Sequence, residues 1–423
     1  MNFKLTEIGE LPFEWEVDTM ENALSEIIDY RGKTPVKSET GIVTLSAKSV
    51  KDGYIDYSKA YFISESTYQK FMVRGFPRKG DILLTTEAPL GLVARLDREK
   101  VGIAQRLLTL RGKKEYLLND YLMYYLMSNE GKHQLTSRQS GTTVTGIKQK
   151  EFRKCLISIP PFEEQKAIAH ILSTLDDKIE VNNQINKTLE NMAQAIFKQW
   201  FVDFEFPNEN GEPYKSSGGE MVESELGTIP KGWEVVQFRD IFRFVKGKKP
   251  KTIAECEFKD SEKYLTIDVL NRNSVLFCSK EKVIEANSED VLMVMDGASS
   301  GAVYFGQKGV VASTLAKLEL ISQKVSNQFL FYAIKYFEND IKTHTTGSAI
   351  PHTDKEYTYR LMIALPNDIS LQTKIDDLLC DISDTFIARE QENAVLKATR
   401  DTLLPKLMSG EIRVPLDQDG YAS

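Results

Sequence analysis

The chain repeats itself once, at an offset of a little over 200 residues, and that repeat restricts it to two copies of one whole module. GELPFEWEV (9–17) returns as GTIPKGWEV (227–235), placing Trp15 over Trp233, and RGKTP (31–35) returns as KGKKP (246–250). GDILLTTEAPLGLVARL from Gly80 returns as EDVLMVMDGASSGAVYF from Glu289, which sets Asp81 over Asp290 and Gly91 over Gly301. SGTTVTGIKQKEFRKCLISIPP returns as TGSAIPHTDKEYTYRLMIALP, setting Gly141 over Gly347 and Pro160 over Pro366. A period this long is not a solenoid, whose repeats run to a few tens of residues.

Each copy opens with short alternating apolar runs such as DILLTT and VGIAQRLLTL, which predict strands. An amphipathic helix follows over NDYLMYYLMSNEGKHQL, capped by Asn119 or Asp120, and VSNQFLFYAIKYFENDI takes its place in the second copy. Each copy closes with a long helix. After Pro160-Pro161, with Glu163 and Glu164 in the first turn, the seam falls at Ile168, Leu172, Leu175, Ile179, Asn182, Asn186, Leu189, Ala193, Ile196 and Trp200. The second helix gives Ile375, Leu379, Ile382, Phe386, Arg389, Asn393, Leu396, Arg400, Leu403 and Leu407. Alternating spacings of four and three mark a coiled-coil seam. Its polar centre, Asn182 and Asn186 in one helix and Arg389 and Asn393 in the other, brings polar groups together if the helices pair centre to centre, fixing register. About forty residues make a rod of roughly 60 Å, long enough to space two modules.

The predicted architecture is therefore a mixed α/β (α+β) module, duplicated, with two long helices and a pseudo-twofold. Recognition domains cover 1–160 and 233–365, long helices 161–203 and 366–410, an exposed Pro/Gly/Ser/Glu-rich linker 204–232, and a tail 411–423.

The net charge of −7 is unevenly spread. Residues 1–160 hold 24 basic and 20 acidic side chains and 233–365 hold 18 and 17, whereas 161–232 hold 6 and 13 and 366–423 hold 6 and 11. Two slightly basic globular segments on two acidic helical ones suit modules that touch nucleic acid on a scaffold that touches protein. The four cysteines, Cys155, Cys256, Cys278 and Cys380, form no C-x-x-C pair and are expected as buried free thiols; the four histidines lack metal-binding spacing. No apolar run reaches the roughly eighteen residues of a membrane span and the first residues lack signal-peptide order, so a cytoplasmic location is expected.

Motifs for catalysis fail on inspection. The Gly-Lys-Thr of RGKTP lacks the Walker A glycine, its place being taken by Ile27. IPPF (159–162) resembles the core of amino-group DNA methyltransferases but starts with Ile159, which cannot bond the target amine. DGASSG (296–301) lacks G-x-G-x-x-G spacing and is expected as a turn between strands.

The phrases LPFEWEV and IPKGWEV, VKDGYIDYSKAYFISESTY before RKGDILLTTEAPLG, the S-G-T and T-G-S turns, the Pro-Pro-x-x-E-Q helix start and the closing LLPKLMSGEIRV together resemble the specificity (HsdS) subunits of type I restriction-modification systems, over nearly the whole chain. That resemblance implies two target recognition domains, each reading half of a split, asymmetric site on double-stranded DNA, and long helices that pair antiparallel, set the spacer and dock partners. It implies two modification subunits (HsdM) and restriction subunits (HsdR), with S-adenosylmethionine, ATP and Mg used only by those partners, and neither catalysis nor cofactor in this chain. Pro366-Asn367-Asp368 in place of Pro-Pro, and DISDTFIARE against EVNNQINKTL, depart from the first copy and set the two docking faces apart.

Bases are read by Arg, Lys, Asn, Gln, Ser and Thr and phosphates by Lys, Arg and amides, which points to equivalent loops. The candidates are Arg31, Lys33 and Thr34 with Lys246, Lys248 and Lys249, and Thr142, Thr143 and Lys148 with Thr346, Ser348 and His352. A fused methyltransferase or nuclease of unrecognised type, or a coiled-coil scaffold that never meets DNA, stand as the alternatives.

Overall fold

The structure, a computed structural model, describes residues 2–30, 32, 34–141, 145–271, 274–347 and 350–415. Its compact units divide the chain differently from the sequence repeat: one holds 1–180 and 393–423, the other 181–392. Each unit contains one copy of the repeated module and part of both long helices, which run over Phe162–Phe201 (the central helix) and Ile369–Met408 (the distal helix).

The duplication expected from the sequence is visible in strand pairing. The first unit has an antiparallel sheet in the order Leu24–Asp29, Leu107–Gly112, Ile82–Thr86, Leu90–Arg95. The second repeats that order with Phe242–Lys246, Leu315–Leu320, Val291–Val294 and Val303–Tyr304. A smaller sheet carries one parallel pair in each unit, Leu45 opposite Ile103 and Leu265 opposite Val311. Entry and exit strands also pair, Glu16–Thr19 with Leu156–Ile159 and Trp233–Gln237 with Met362–Pro366. Entering and leaving side by side, each module delivers its chain directly into a long helix.

Apolar strands with both faces covered explain the continuous runs: every residue of Ile82–Thr86 and Val291–Val294 is buried. The aligned aspartates anchor these strands. Asp81 takes two 2.7 Å bonds from Arg111, and Asp290 lies 3.3 Å from Lys317.

Four expectations need correction. The helix predicted over 119–135 is two, Asn119–Met127 and Asn129–Thr136, because Ser128 ends the first and caps the second through Gly131 N–H. In the second copy Asn327–Thr343 is unbroken. Neither Asn119 nor Asp120 caps the first of these; Leu118 occupies the N-cap, while Asn119 Oδ1 accepts from Gly112 N at 2.7 Å and ties helix to sheet. The segment 204–232 is mostly exposed, as expected of a linker, but it is ordered and anchored. Phe204 and Phe206 are buried on Trp233, and Met221–Ser224 and Gly227–Pro230 form a hairpin, since burying these aromatics outweighs the turn-rich composition around them. Of the cysteines, Cys155 and Cys278 are buried and Cys380 partly so, but Cys256 is exposed.

Among the described residues no helix is long and apolar enough to cross a membrane.

Candidate nucleic-acid interface

In the second unit three connections meet at one end of the four-stranded sheet. The edge strand Phe242–Lys246 leaves it at Gly247, where an added Cβ would lie 2.2 Å from the Ala312 carbonyl oxygen, so only glycine lets the chain pass. Lys248 and Lys249 follow, exposed. Strand Val291–Val294 runs into the turn 296–301, as expected for DGASSG.

The third connection closes on itself and hangs on that turn. Thr346 and His352 exchange backbone bonds of 2.8 and 2.7 Å, Gly297 N–H donates to Pro351 O, and Thr353 N–H to Met295 O. Gly347 holds φ +90°, which explains the T-G-S phrase: an alanine Cβ would lie 2.4 Å from Ile350 O.

Asp296 joins the three. Its Oδ1 lies 2.8 Å from His352 Nδ1 and its Oδ2 3.0 Å from Lys246 Nζ. Burial pushes the Asp296 carboxyl up, but hydrogen bonds from His352 and Lys246 outweigh it and hold it below the usual carboxylate range. The structure thus brings together Lys246, Thr346 and His352, with Lys248 and Lys249 on the adjoining stretch.

The first unit builds the same end with other side chains. Gly146 and Ser140 exchange backbone bonds as His352 and Thr346 do, and Gly146 bridges Glu87 as His352 bridges Asp296. Gly141 holds φ +116°. Glu87 pairs with Arg106 at 2.7 Å. His352 therefore has no side-chain counterpart here, and Lys148 corresponds to Asp354: each occupies the N-cap of a short helix, Gln149–Phe152 and Lys355–Arg360. Lys148 and Thr34 are exposed. Arg31, Lys33, Thr142, Thr143 and Ser348 lie outside the described residues.

Two sets of residues at these sheet ends escaped the sequence reading. Glu87 and Asp296 occupy one alignment column, an acidic residue before a small one in both copies, and that was the available signal. Arg74, Arg78 and Lys79 surround the exposed Phe76 in VRGFPRK, a basic run with an aromatic, and Arg74 Nη1 donates to Asp29 O at 2.7 Å, where the edge strand leaves the sheet. The aligned stretch of the second copy, EKVIEANSE, is acidic.

The long helices pair antiparallel. In the first unit Asp176 meets Arg400 at 2.7 Å and Glu164, one helix end away, meets Arg413. In the second, Asn182 Nδ2 donates to Glu392 at 2.8 Å, Arg389 Nη1 to Asn182 Oδ1 at 3.3 Å, and Asn186 Nδ2 to Glu390 at 3.0 Å. The polar seam residues Asn182, Asn186 and Asn393 are buried, as are Ile168, Leu172, Ile179, Ala193, Ile375, Leu379, Ile382 and Leu407. Leu175, Leu189, Ile196, Trp200, Phe386, Arg389, Leu396, Arg400 and Leu403 are half-buried.

Toward the C-terminal end of the central helix the fully buried positions move on by one residue, to Phe197 and Phe201, and the distal helix adds Leu404 and Met408 to the buried seam residue Leu407. An α-helix drifts about 20° per heptad against a strict 3.5-residue repeat, so four heptads displace the face by about 80°, nearly one residue. The displaced aromatic pair enters the second module's core, Phe201 packing on Phe329 and Trp233.

A family model for the type I restriction modification DNA specificity domain matches residues 16–191 and again 230–398. The chain is 28% identical to the type I restriction enzyme MjaIX specificity subunit of Methanocaldococcus jannaschii, over 97% of this chain and 96% of that one. It is 23% identical to the type I restriction enzyme HindI specificity subunit of Haemophilus influenzae, over 79% and 87%. The crystal structure of a type I restriction-modification S subunit from M. genitalium shares the fold, with a TM-score of 0.57 at 17% identity over 96% of this chain and 97% of that one. With the family match falling once on each sequence repeat, the chain belongs to the DNA specificity subunits of type I restriction-modification systems.

Proposed function

We propose that each module reads one half of a split, asymmetric site on double-stranded DNA through the loops at the end of its four-stranded sheet. The observation that carries this is the repetition of one frame with different side chains: Glu87 and Gly146 in one copy stand where Asp296 and His352 stand in the other, and Glu87 pairs with Arg106 where Asp296 pairs with His352 and Lys246. An identical frame gives two readers, and unlike side chains give two different half-sites. The basic Arg74–Phe76–Lys79 stretch of the first module, acidic in the second, adds to that inequality.

The paired helices, acidic outside and register-fixed by Asn182, Asn186 and Arg389, would dock two modification (HsdM) subunits and the restriction (HsdR) subunits. On this reading the chain makes and breaks no bond. S-adenosylmethionine, ATP and Mg serve the partners, whose chemistry is adenine methylation and driven cleavage.

The test is to co-express the chain with its modification subunit and map adenine methylation across host DNA by single-molecule sequencing. One two-part motif that vanishes on deleting the chain is expected. A stable complex that methylates no defined motif would leave a scaffold that does not read DNA.

A further inference from the structure

Asp296 stands in the middle of the second module's candidate loops without pointing a free oxygen outward. Oδ1 takes the His352 ring at Nδ1 (2.8 Å) and Oδ2 takes the Lys246 ammonium (3.0 Å). The side chains of Lys246 and His352 are 51% and 49% exposed, that of Asp296 26%, so the carboxylate lies beneath two groups that face solvent.

The carboxylate is also held from below. The Asp296 turn is pinned by Ser300, which is 3% exposed and whose hydroxyl lies 2.8 Å from the Gly297 carbonyl and 2.9 Å from that of Pro351, sharing its one hydrogen between them. Thr353 Oγ1 donates to Val294 O at 2.6 Å, fixing the other side of the loop to the sheet. Reading groups carried this way start from a rigid strand end and not from a free loop.

Chemistry then fixes what the pair offers. A carboxylate only accepts, so the hydrogen between Asp296 and His352 sits on Nδ1, and in that Nδ1–H tautomer Nε2 is the acceptor that the ring presents outward. Lys246 spends one of its three N–H donors on Asp296 and keeps two. The exposed face therefore presents donors beside an acceptor, held by a common anchor.

We propose that Asp296 is a positioning residue for sequence reading, setting Lys246 and His352 to read a base edge that carries an acceptor next to a donor. In the major groove that pattern is N7 and N6 of adenine, or O6 and N4 across a G·C pair. Thymine and guanine taken alone do not offer it, and phosphates offer acceptors only. This inference rests on the reading of the chain as a DNA specificity subunit.

The experiment uses the complete complex with its modification subunit and the methylation map as readout. Wild type is compared with Asp296→Asn, His352→Phe and His352→Lys, the first half of the motif serving as the internal measure of folding and assembly. Asp296→Asn and His352→Phe are expected to lose about tenfold or more of the discrimination at one position of the second half, with the first half unchanged. His352→Lys, which turns the acceptor into a donor, is expected to shift that position toward guanine. The identity of the relaxed position separates the adenine edge from the G·C step. An intact second half in Asp296→Asn, or methylation weakened equally on all sequences as for a phosphate contact, would overturn the proposal. Absence of any motif with the wild-type chain would instead overturn the functional reading beneath it.

Discussion

Replacing Arg413 with methionine strands a buried carboxylate in the first unit. Arg413 gives Nε to Glu164 Oε1 at 2.5 Å and Nη2 to Oε2 at 3.0 Å, and Trp15 Nε1 donates to that same Oε2 at 3.0 Å. The Glu164 side chain is 3% exposed and that of Arg413 30%. Removing one partner of a buried pair costs about 3–5 kcal/mol, because the other charge loses its compensation. Water can reach the vacated side of Arg413 and Trp15 keeps its bond, so the cost falls to about 2–3 kcal/mol. Methionine preserves packing of the arginine stem, which keeps the loss electrostatic. Glu164→Gln in the same chain keeps an acceptor for Trp15 and removes the stranded charge, so the double variant should regain about 1 kcal/mol or more. Urea titration followed by peptide-resolved hydrogen exchange reads each unit separately, through Leu107–Gly112 and Asn119–Met127 in the first. A coupling under about 0.5 kcal/mol between Arg413 and Glu164, or a loss that falls equally on residues 181–392, would refute the argument.

Changing Asn182 and Asn186 together to leucine should stabilise the second unit by about 1–2 kcal/mol, since Glu390 and Glu392 can turn to water, and should loosen helix register. A fall in stability would show that those hydrogen bonds outweigh apolar packing. Burial pushes the Asp376 carboxyl up despite bonds from Ser326 and Gln372. A raised folded value means the folded unit gains stability as pH falls through it, so Asp376→Asn should stabilise the second unit at neutral pH and lose that advantage in acid, measured as melting temperature against pH. Gly347→Ala, at φ +90° with its Cβ 2.4 Å from Ile350 O, should cost about 1 kcal/mol or more locally and blur methylation in the second half-site alone.

What the sequence disclosed followed from local chemistry. Turn glycines such as Gly141 and Gly347 and the Pro160 and Pro366 helix entries recur because each copy needs the same backbone path, so the duplication and the two helices were legible. The seam positions were legible wherever a heptad describes a straight helix, and less so beyond Ala193, where drift and the second core select Phe197 and Phe201. Phe204 and Phe206 were hidden by the Pro, Gly and Ser around them, although two aromatics two residues apart were a signal of burial. Pairings across long separations, Glu164 with Arg413 or Asp296 with Lys246, leave no local pattern at all. Residue type points to Lys246 and His352 as candidates, but not to the carboxylate that holds them.

The central claim is that each repeat reads its own half of the DNA site, and a module exchange tests it most directly. Residues 13–155 are replaced by the matching segment of a relative that directs a different motif, and adenine methylation is mapped in cells carrying the common modification subunit. The account predicts a hybrid motif in which one half changes to that of the donor and the other half stays as it was. A motif altered in both halves, or in neither, would contradict it.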